Sequence, residues 1–253
     1  MGKIIALANQ KGGVGKTTTC VNLCCALKYA GKSVLLCDLD PQGNATSGMG
    51  VAKNSLDTSI YTVLSGENIA AEAVIATPYG DLLPANRTLA GAAVELVMRD
   101  EREYILRDAL GTLRGSYDYI LIDCPPSLEM LTLNGLCAAD TLLIPVQCEY
   151  YALEGLSDLM TTIRMVRKHM NPALDIEGVL LTMYDSRTNF SAQVASEVKK
   201  YFKNKVYNVV IPRNVRLSEA PSHGKPVLAY DASSRGAKAY AELAMELLRR
   251  NRD

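Results

Sequence analysis

The chain has 253 residues, 48% of them hydrophobic, with no Trp and only two Phe, enough for one large α/β domain with an aliphatic core. No apolar stretch approaches the roughly 20 residues that span a bilayer, and residues 3–8 are too short for the apolar core of a signal peptide. Seven Cys without a Cys-x-x-Cys pair, beside two distant His, argue against zinc and for buried thiols in a reducing cytosol.

An apolar strand over 3–8 opens the chain and runs into Gln10-Lys11-Gly12-Gly13-Val14-Gly15-Lys16-Thr17-Thr18, followed by a helix over 17–30. Strand, glycine-rich turn and helix in that order build a phosphate cradle: the glycines turn backbone N–H groups toward one anion, and the helix N-terminus adds partial positive charge. At this register Lys16 reaches the β- and γ-phosphates of a nucleotide and the Thr17 hydroxyl holds Mg²⁺. The common pattern wants glycine where this chain has Gln10, and a second lysine, Lys11, stands at the mouth of the loop.

A strand over 33–38 ends in Asp38-Leu39-Asp40-Pro41-Gln42-Gly43-Asn44, at the carboxyl end where open α/β sheets gather their chemistry. On an extended chain the two aspartates point opposite ways, so one supports the loop and magnesium shell while the other faces the γ-phosphate. A short strand over 80–83 and helices over 87–97 and 101–113 come next. The strand over 118–123 carries four apolar residues and a terminal Asp123, a Walker B pattern whose carboxylate serves Mg²⁺, and Pro125-Pro126 stiffens the turn after it. Then follow a helix over 128–137, a strand over 141–146, a helix over 153–169, a strand over 177–183, a helix over 190–202, a strand over 206–210 and a helix over 234–250. The alternation predicts a three-layer, doubly wound, mainly parallel sheet, with residues 1–253 forming a single domain.

Zero net charge hides an asymmetry. Residues 1–186 carry 14 Lys/Arg against 21 Asp/Glu, whereas residues 187–253 carry 13 against 6. Lys199, Lys200, Lys203, Lys205, Arg213 and Arg216 lie close together, with no acid between Glu197 and Glu219. Such a cluster reads either as a polyanion-facing surface or as a solvated helix face.

The phosphate loop with its extra Lys11 resembles the deviant Walker A loop of the ParA/MinD family of dimerising ATPases. Asp38-Leu-Asp-Pro-Gln-Gly-Asn-Ala-Thr-Ser, Pro145-Val-Gln-Cys-Glu-Tyr-Tyr-Ala-Leu-Glu-Gly and Ile211-Pro-Arg-Asn-Val-Arg-Leu-Ser-Glu-Ala-Pro-Ser look like its chromosomal ParA, or Soj, branch. The resemblance implies a P-loop ATPase that binds ATP and Mg²⁺ through Lys11, Gly12, Gly13, Val14, Gly15, Lys16, Thr17 and Thr18. It implies Asp40 as the residue that orients the attacking water, Lys11 as a finger reaching the other subunit's nucleotide, and Thr17, Asp38 and Asp123 on the metal side. Pro212 and Asn214 match the base-binding turn, although an ordinary turn after a strand reads the same way; Arg213 is a candidate for the dimer interface.

The family further implies an ATP-dependent homodimer, cytoplasmic and nucleoid-associated, that binds double-stranded DNA without sequence preference. A ParB-type centromere-binding partner then stimulates hydrolysis and release, in the service of chromosome partitioning. Arg187 and Arg216 match the DNA-contacting arginines, with Lys199, Lys200 and Lys203 in support. Nothing precedes the first strand that would hold a helix-turn-helix, so operator-specific repression is not expected.

Three rival readings stand beside this one. A MinD-type membrane-cycling regulator would end in an amphipathic anchor, but the Tyr240, Leu243, Leu247 stripe of the last helix lacks bulky Phe or Trp and reads as core packing. A small-molecule phosphate-transferring enzyme like dethiobiotin synthetase leaves Lys11 and the basic cluster without a purpose. Asp40 argues against a purely structural, non-hydrolysing ATP-gated DNA binder. Apart from these, kinship with the nitrogenase iron protein makes Cys124 and Cys137 the pair to consider for an iron–sulfur cluster, beside the plainer reading of buried thiols.

Overall fold

The structure, a computed structural model, describes residues 2–149 and 152–251. Seven strands form one sheet: β1 (Lys3–Leu7), β2 (Val34–Asp38), β3 (Ile75–Thr77), β4 (Gly80–Leu83), β5 (Tyr119–Asp123), β6 (Thr141–Gln147) and β7 (Asp175–Thr182). Their order is β3-β4-β2-β5-β1-β6-β7, and every pairing is parallel except β3 with β4. The helices are α1 (Lys16–Tyr29), α2 (Asn44–Gly48), α3 (Ile60–Ser65), α4 (Leu89–Leu96), α5 (Ile105–Gly111), α6 (Met130–Ala138), α7 (Ala152–His169), α8 (Asn189–Phe202), α9 (Val215–Glu219), α10 (Val227–Tyr230) and α11 (Arg235–Arg250).

Central strands covered on both faces have no polar side to show, which is why they read as unbroken apolar runs. Alternate residues still serve different layers. Ile4, Ala6, Leu35, Cys37, Ile120 and Ile122 pack into one core with residues of α3 through α8. Ile5, Leu7, Val34, Leu36 and Leu121 pack into a second core under α1 and α11. There Tyr240, Leu243 and Leu247 are buried, and the Tyr240 hydroxyl lies 3.1 Å from that of Thr19. The last helix therefore spends its apolar stripe on the sheet. Among the described residues, no helix is long and apolar enough to cross a membrane.

The expected strand over 206–210 is not formed. Isolated bridges join this segment to its neighbours, Val179 to Val206 and Tyr184 to Pro212, and the Tyr207 N–H donates to the Val179 carbonyl at 2.9 Å. Glu246 of α11 explains the interruption: its carboxylate accepts the backbone N–H groups of Asn208 and Val209 at 2.9 to 3.1 Å, and that of Val209 is the next one a ladder with β7 would require. β3 and the short helices α2, α3, α9 and α10 are additions to the sequence reading. Each is too short to show a period of its own.

Register sets the site. Leu7 and Asp38 are both the β-partners of Asp123, so the ends of β1, β2 and β5 lie in one row. The phosphate loop leaves the first of these strands and the two aspartates close the others.

Candidate functional site

Between β1 and α1 the loop turns through Gly13 at φ 74° and Gly15 at φ 90°. A side chain at Gly13 would meet open space, so glycine is needed there for the left-handed backbone and not for room. Gly15 is the N-cap of α1, and no side chain caps the helix, which leaves its first amides for an anion. Lys16 is buried and curls back over the loop, its Nζ donating to the carbonyls of Asn9 at 3.0 Å and Lys11 at 3.2 Å. Burial holds its pKa below the usual lysine value, with Asp123 opposing.

Two residues that the sequence reading missed fasten this loop to the sheet. Asn9 donates its Nδ2 to the Pro145 carbonyl at 2.7 Å and accepts the Lys11 N–H at 3.0 Å. Thr182 at the end of β7 donates its hydroxyl to the Val14 carbonyl at 2.8 Å.

The three carboxylates differ in their commitments. Asp40 is nearly buried and accepts the Gln42 N–H at 2.9 Å. Asp123 is fully buried; its Oδ1 accepts the Cys20 thiol at 3.5 Å, and its Oδ2 has no hydrogen-bond partner. Burial, and then the Asp38 and Asp40 charges, raise its pKa, while Thr17 and Cys20 act against the rise. An orphaned carboxylate oxygen in a dry site suits a cation. Asp38, expected on the metal side, accepts protein donors on both oxygens: the Asp40 N–H on Oδ1, and the Thr46 N–H and hydroxyl on Oδ2.

Above the loop lies a cavity of about 320 Å³, lined by Gly12, Gly13, Gly15, Lys16, Thr17, Thr18, Asp40, Gln42, Asn44, Pro126 and Met183. A second, of about 360 Å³, shares Gly15, Thr18 and Met183 with it and is walled by Ile211, Pro212, Arg213, Asn214, Leu217 and Pro221. The first is ringed by Lys16, Thr17, Thr18, Asp40, Gln42 and Asn44, and the adjoining second by Ile211, Pro212, Leu217 and Pro221 beside Arg213 and Asn214, an arrangement that can take the phosphates and the base of a nucleotide. Asn214 also caps α9, its side chain accepting the Arg216 N–H at 3.1 Å. Lys11 is half-buried at the rim of the loop. A larger hollow of about 450 Å³ between α7 and α8, lined by Leu156, Ser157, Glu197, Lys200, Tyr201 and Phe202, includes no residue of the phosphate loop. Among the described residues, no group of three or more His, Cys, Asp or Glu is arranged to hold a metal ion, and all seven cysteines are free and buried.

The basic cluster is exposed but largely paired. Arg187 binds Asp185 through two nitrogens, at 2.9 and 2.7 Å. Arg216 lies 2.7 Å from Glu219 and 3.3 Å from Asp231, and Lys200 is 2.6 Å from Glu197. Lys199 and Lys203 are exposed. Lys205 is tied to Asp175 at 2.9 Å, on the far side of β7 from the phosphate loop's strand.

Residues 2–176 match the family model described as an AAA domain. Across 249 residues, the chain is 59% identical to the sporulation initiation inhibitor protein Soj of Bacillus subtilis, covering 98% of each. It is 53% identical to the chromosome partitioning protein ParA of Myxococcus xanthus, covering 99% of this chain and 89% of that one. Among solved structures, cobyrinic acid a,c-diamide synthase of Mycobacterium smegmatis with bound ADP and magnesium superposes with a TM-score of 0.87 at 43% identity, covering 98% of this chain and 95% of that one.

Proposed function

The chain belongs to the Soj/ParA family of chromosome-partitioning ATPases, and from that premise we propose that residues 1–253 act as one ATP-driven switch that pairs, binds DNA without sequence preference, and lets go on hydrolysis. One observation carries the reading: Lys16, Thr17 and Asp40 line a single cavity at the head of α1, and the unpartnered Oδ2 of Asp123 belongs to a carboxylate whose charge acts on Lys16 against the effect of burial.

In this reading the amides of residues 12–18 and the Lys16 ammonium hold the phosphates of ATP and stabilise charge on the transferring group. Bound Mg²⁺ supplies charge neutralisation at the phosphate oxygens, and Thr17 and Asp123 are the residues that would hold it. A small carboxylate set suits this ion, which keeps several waters and takes substrate phosphates as ligands. Asp40 accepts a hydrogen bond from the attacking water and so orients it. Lys11 of a second subunit completes the charge balance, which makes turnover depend on pairing. Pro212 and Asn214 border the base, and Met183 stands between base and phosphates.

Pairing also explains DNA affinity. Arg187, Arg216, Lys199, Lys200 and Lys203 form a weak, sequence-blind patch whose contacts are with phosphates. Two patches on one dimer bind far more tightly than either alone, so ATP controls DNA affinity by controlling dimerisation. A ParB-type partner would release the dimer by stimulating hydrolysis, and the protein would reside in the cytoplasm on the nucleoid.

The test compares Asp40→Ala protein with ATP and with ADP on random duplex DNA and on anionic liposomes. ATP-dependent, salt-sensitive binding to DNA alone is expected. Binding to liposomes alone would make the protein a membrane-cycling ATPase, and binding to neither would turn attention to a small-molecule substrate such as that named for the M. smegmatis synthase.

A further inference from the structure

We infer that Thr46 is the positioning residue of the water-orienting loop, and that Asp38 is the latch it closes on rather than a metal ligand. Asp38 and Asp123 are partners in the β2–β5 register and both are fully buried. Their oxygens are used differently. Asp123 keeps Oδ2 without a partner, whereas Asp38 accepts the Asp40 N–H at 3.2 Å on Oδ1 and the Thr46 N–H and hydroxyl at 2.8 and 2.7 Å on Oδ2. A charged acceptor holding three short-range donors in a dry site has little left to offer a cation.

Thr46 is committed on both sides. Its hydroxyl donates to Asp38 and accepts the Ala85 N–H at 2.9 Å, and the residue is wholly buried. The same loop touches residue 85 again at Gly43, where a Cβ would fall 2.7 Å from the Ala85 carbonyl oxygen. Between these two fastenings and the end of β2 lies Asp40. Its own N–H is bound by Asp38, its carboxylate accepts the Gln42 N–H, and its carbonyl accepts the Gly43 N–H at 2.9 Å. The Asp40 backbone is thus held by Asp38, and Asp38 in turn by Thr46. Valine at position 46 keeps the shape, removes the hydroxyl, and leaves the Ala85 N–H unpaired.

The inference rests on the reading of Asp40 as the residue that orients water. Displacing such a group by about 1 Å costs on the order of a hundredfold in rate without loosening the bound nucleotide. The experiment measures steady-state ATPase activity, affinity for a fluorescent ATP analogue and the Mg²⁺ concentration for half-maximal turnover. It uses full-length wild type, Thr46→Val, Thr46→Ser, Asp38→Asn and Asp40→Ala.

Thr46→Val is expected to lose roughly tenfold to a hundredfold in kcat, with nucleotide affinity and the Mg²⁺ midpoint within about threefold of wild type. Thr46→Ser, which restores the hydroxyl, should recover most of the loss. Asp38→Asn should lower kcat with the same unmoved Mg²⁺ midpoint, and it carries the test should Thr46→Val not fold. Wild-type turnover by Thr46→Val beside an inactive Asp40→Ala would overturn the latch alone. A Mg²⁺ midpoint raised about tenfold or more in Asp38→Asn would return Asp38 to the metal shell. Wild-type turnover by Asp40→Ala would remove the water-orienting reading and the latch with it.

Discussion

Lys16 is a buried cation whose donors are occupied by the loop's own carbonyls, those of Asn9 and Lys11. That arrangement braces the loop and holds the ammonium beside the cavity; in the proposed function, phosphates take the place of these carbonyls. Lys16→Ala removes both the loop brace and the charge-assisted bonds to the ligand, so nucleotide affinity should fall by about a hundredfold or more. Titration with a fluorescent ATP analogue reads this directly, and unchanged affinity would refute a phosphate role. Asp40 and Asp123 stand at or just past strand ends that the apolar pattern marks, and Lys16 and Thr17 open the helix after the first strand, so local spacing alone singles these four out as candidates. Asn9, Thr46 and Thr182 are not singled out this way: their partners are Pro145, Ala85 and Val14, 136, 39 and 168 residues away. A side chain whose purpose is set by a distant backbone group leaves no local spacing to read.

Elements show the same division. Helices α8 and α11 carry their own periodicity, α1 is buried on nearly every side, and the order of apolar runs gave the doubly wound sheet. Residues 206–210 have the Val-rich composition of a strand, yet α11 takes their N–H groups through Glu246, which also pairs with Arg250 at 2.7 Å. Competition of that kind is invisible until both elements are in space. Burial works against the Glu246 carboxylate, but the bonds from Asn208, Val209 and Arg250 outweigh it and hold its pKa below the usual glutamate range. A depressed pKa stabilises the fold above the unfolded value, and the contribution is lost as pH falls through the folded one. Glu246→Gln should therefore cost about 1–3 kcal/mol in urea unfolding at pH 7, with the gap from wild type narrowing as pH drops below about 4. A constant gap across that range would mean the charge is not what matters. Gly178 supplies a second check on the segment. A Cβ there would lie 2.5 Å from the Tyr207 ring and 2.8 Å from the Lys205 carbonyl oxygen, so Gly178→Ala should destabilise by about 1–3 kcal/mol through overpacking.

For the whole molecule the question raised by the proposed function is how a chain of zero net charge would bind a polyanion. The sequence places its positive excess after residue 186, and the structure adds that Arg187 and Arg216 there are already paired with acids. Arg187 is gripped by Asp185 in a two-pronged pair, and this contact holds the Asp185 carboxyl well below its usual pKa. Arg187 is exposed and Asp185 partly so, and the pair therefore adds little to stability. It does set a competition, because a DNA phosphate must displace the carboxylate to reach the guanidinium. Asp185→Ala should therefore strengthen binding of the ATP-bound dimer to random duplex DNA by several-fold at low salt, without changing dimerisation. Arg216→Ala should weaken it and flatten the plot of log affinity against log salt by about one unit per subunit, again with the dimer intact. Fluorescence anisotropy over a salt series, run beside light scattering, separates the two effects. If Asp185→Ala left the affinity unchanged while Arg216→Ala abolished it, Arg187 would not contact phosphate and the DNA face would centre on α9. If neither variant moved the salt dependence, the basic cluster would be a solvated surface and ATP-dependent DNA binding would need another site.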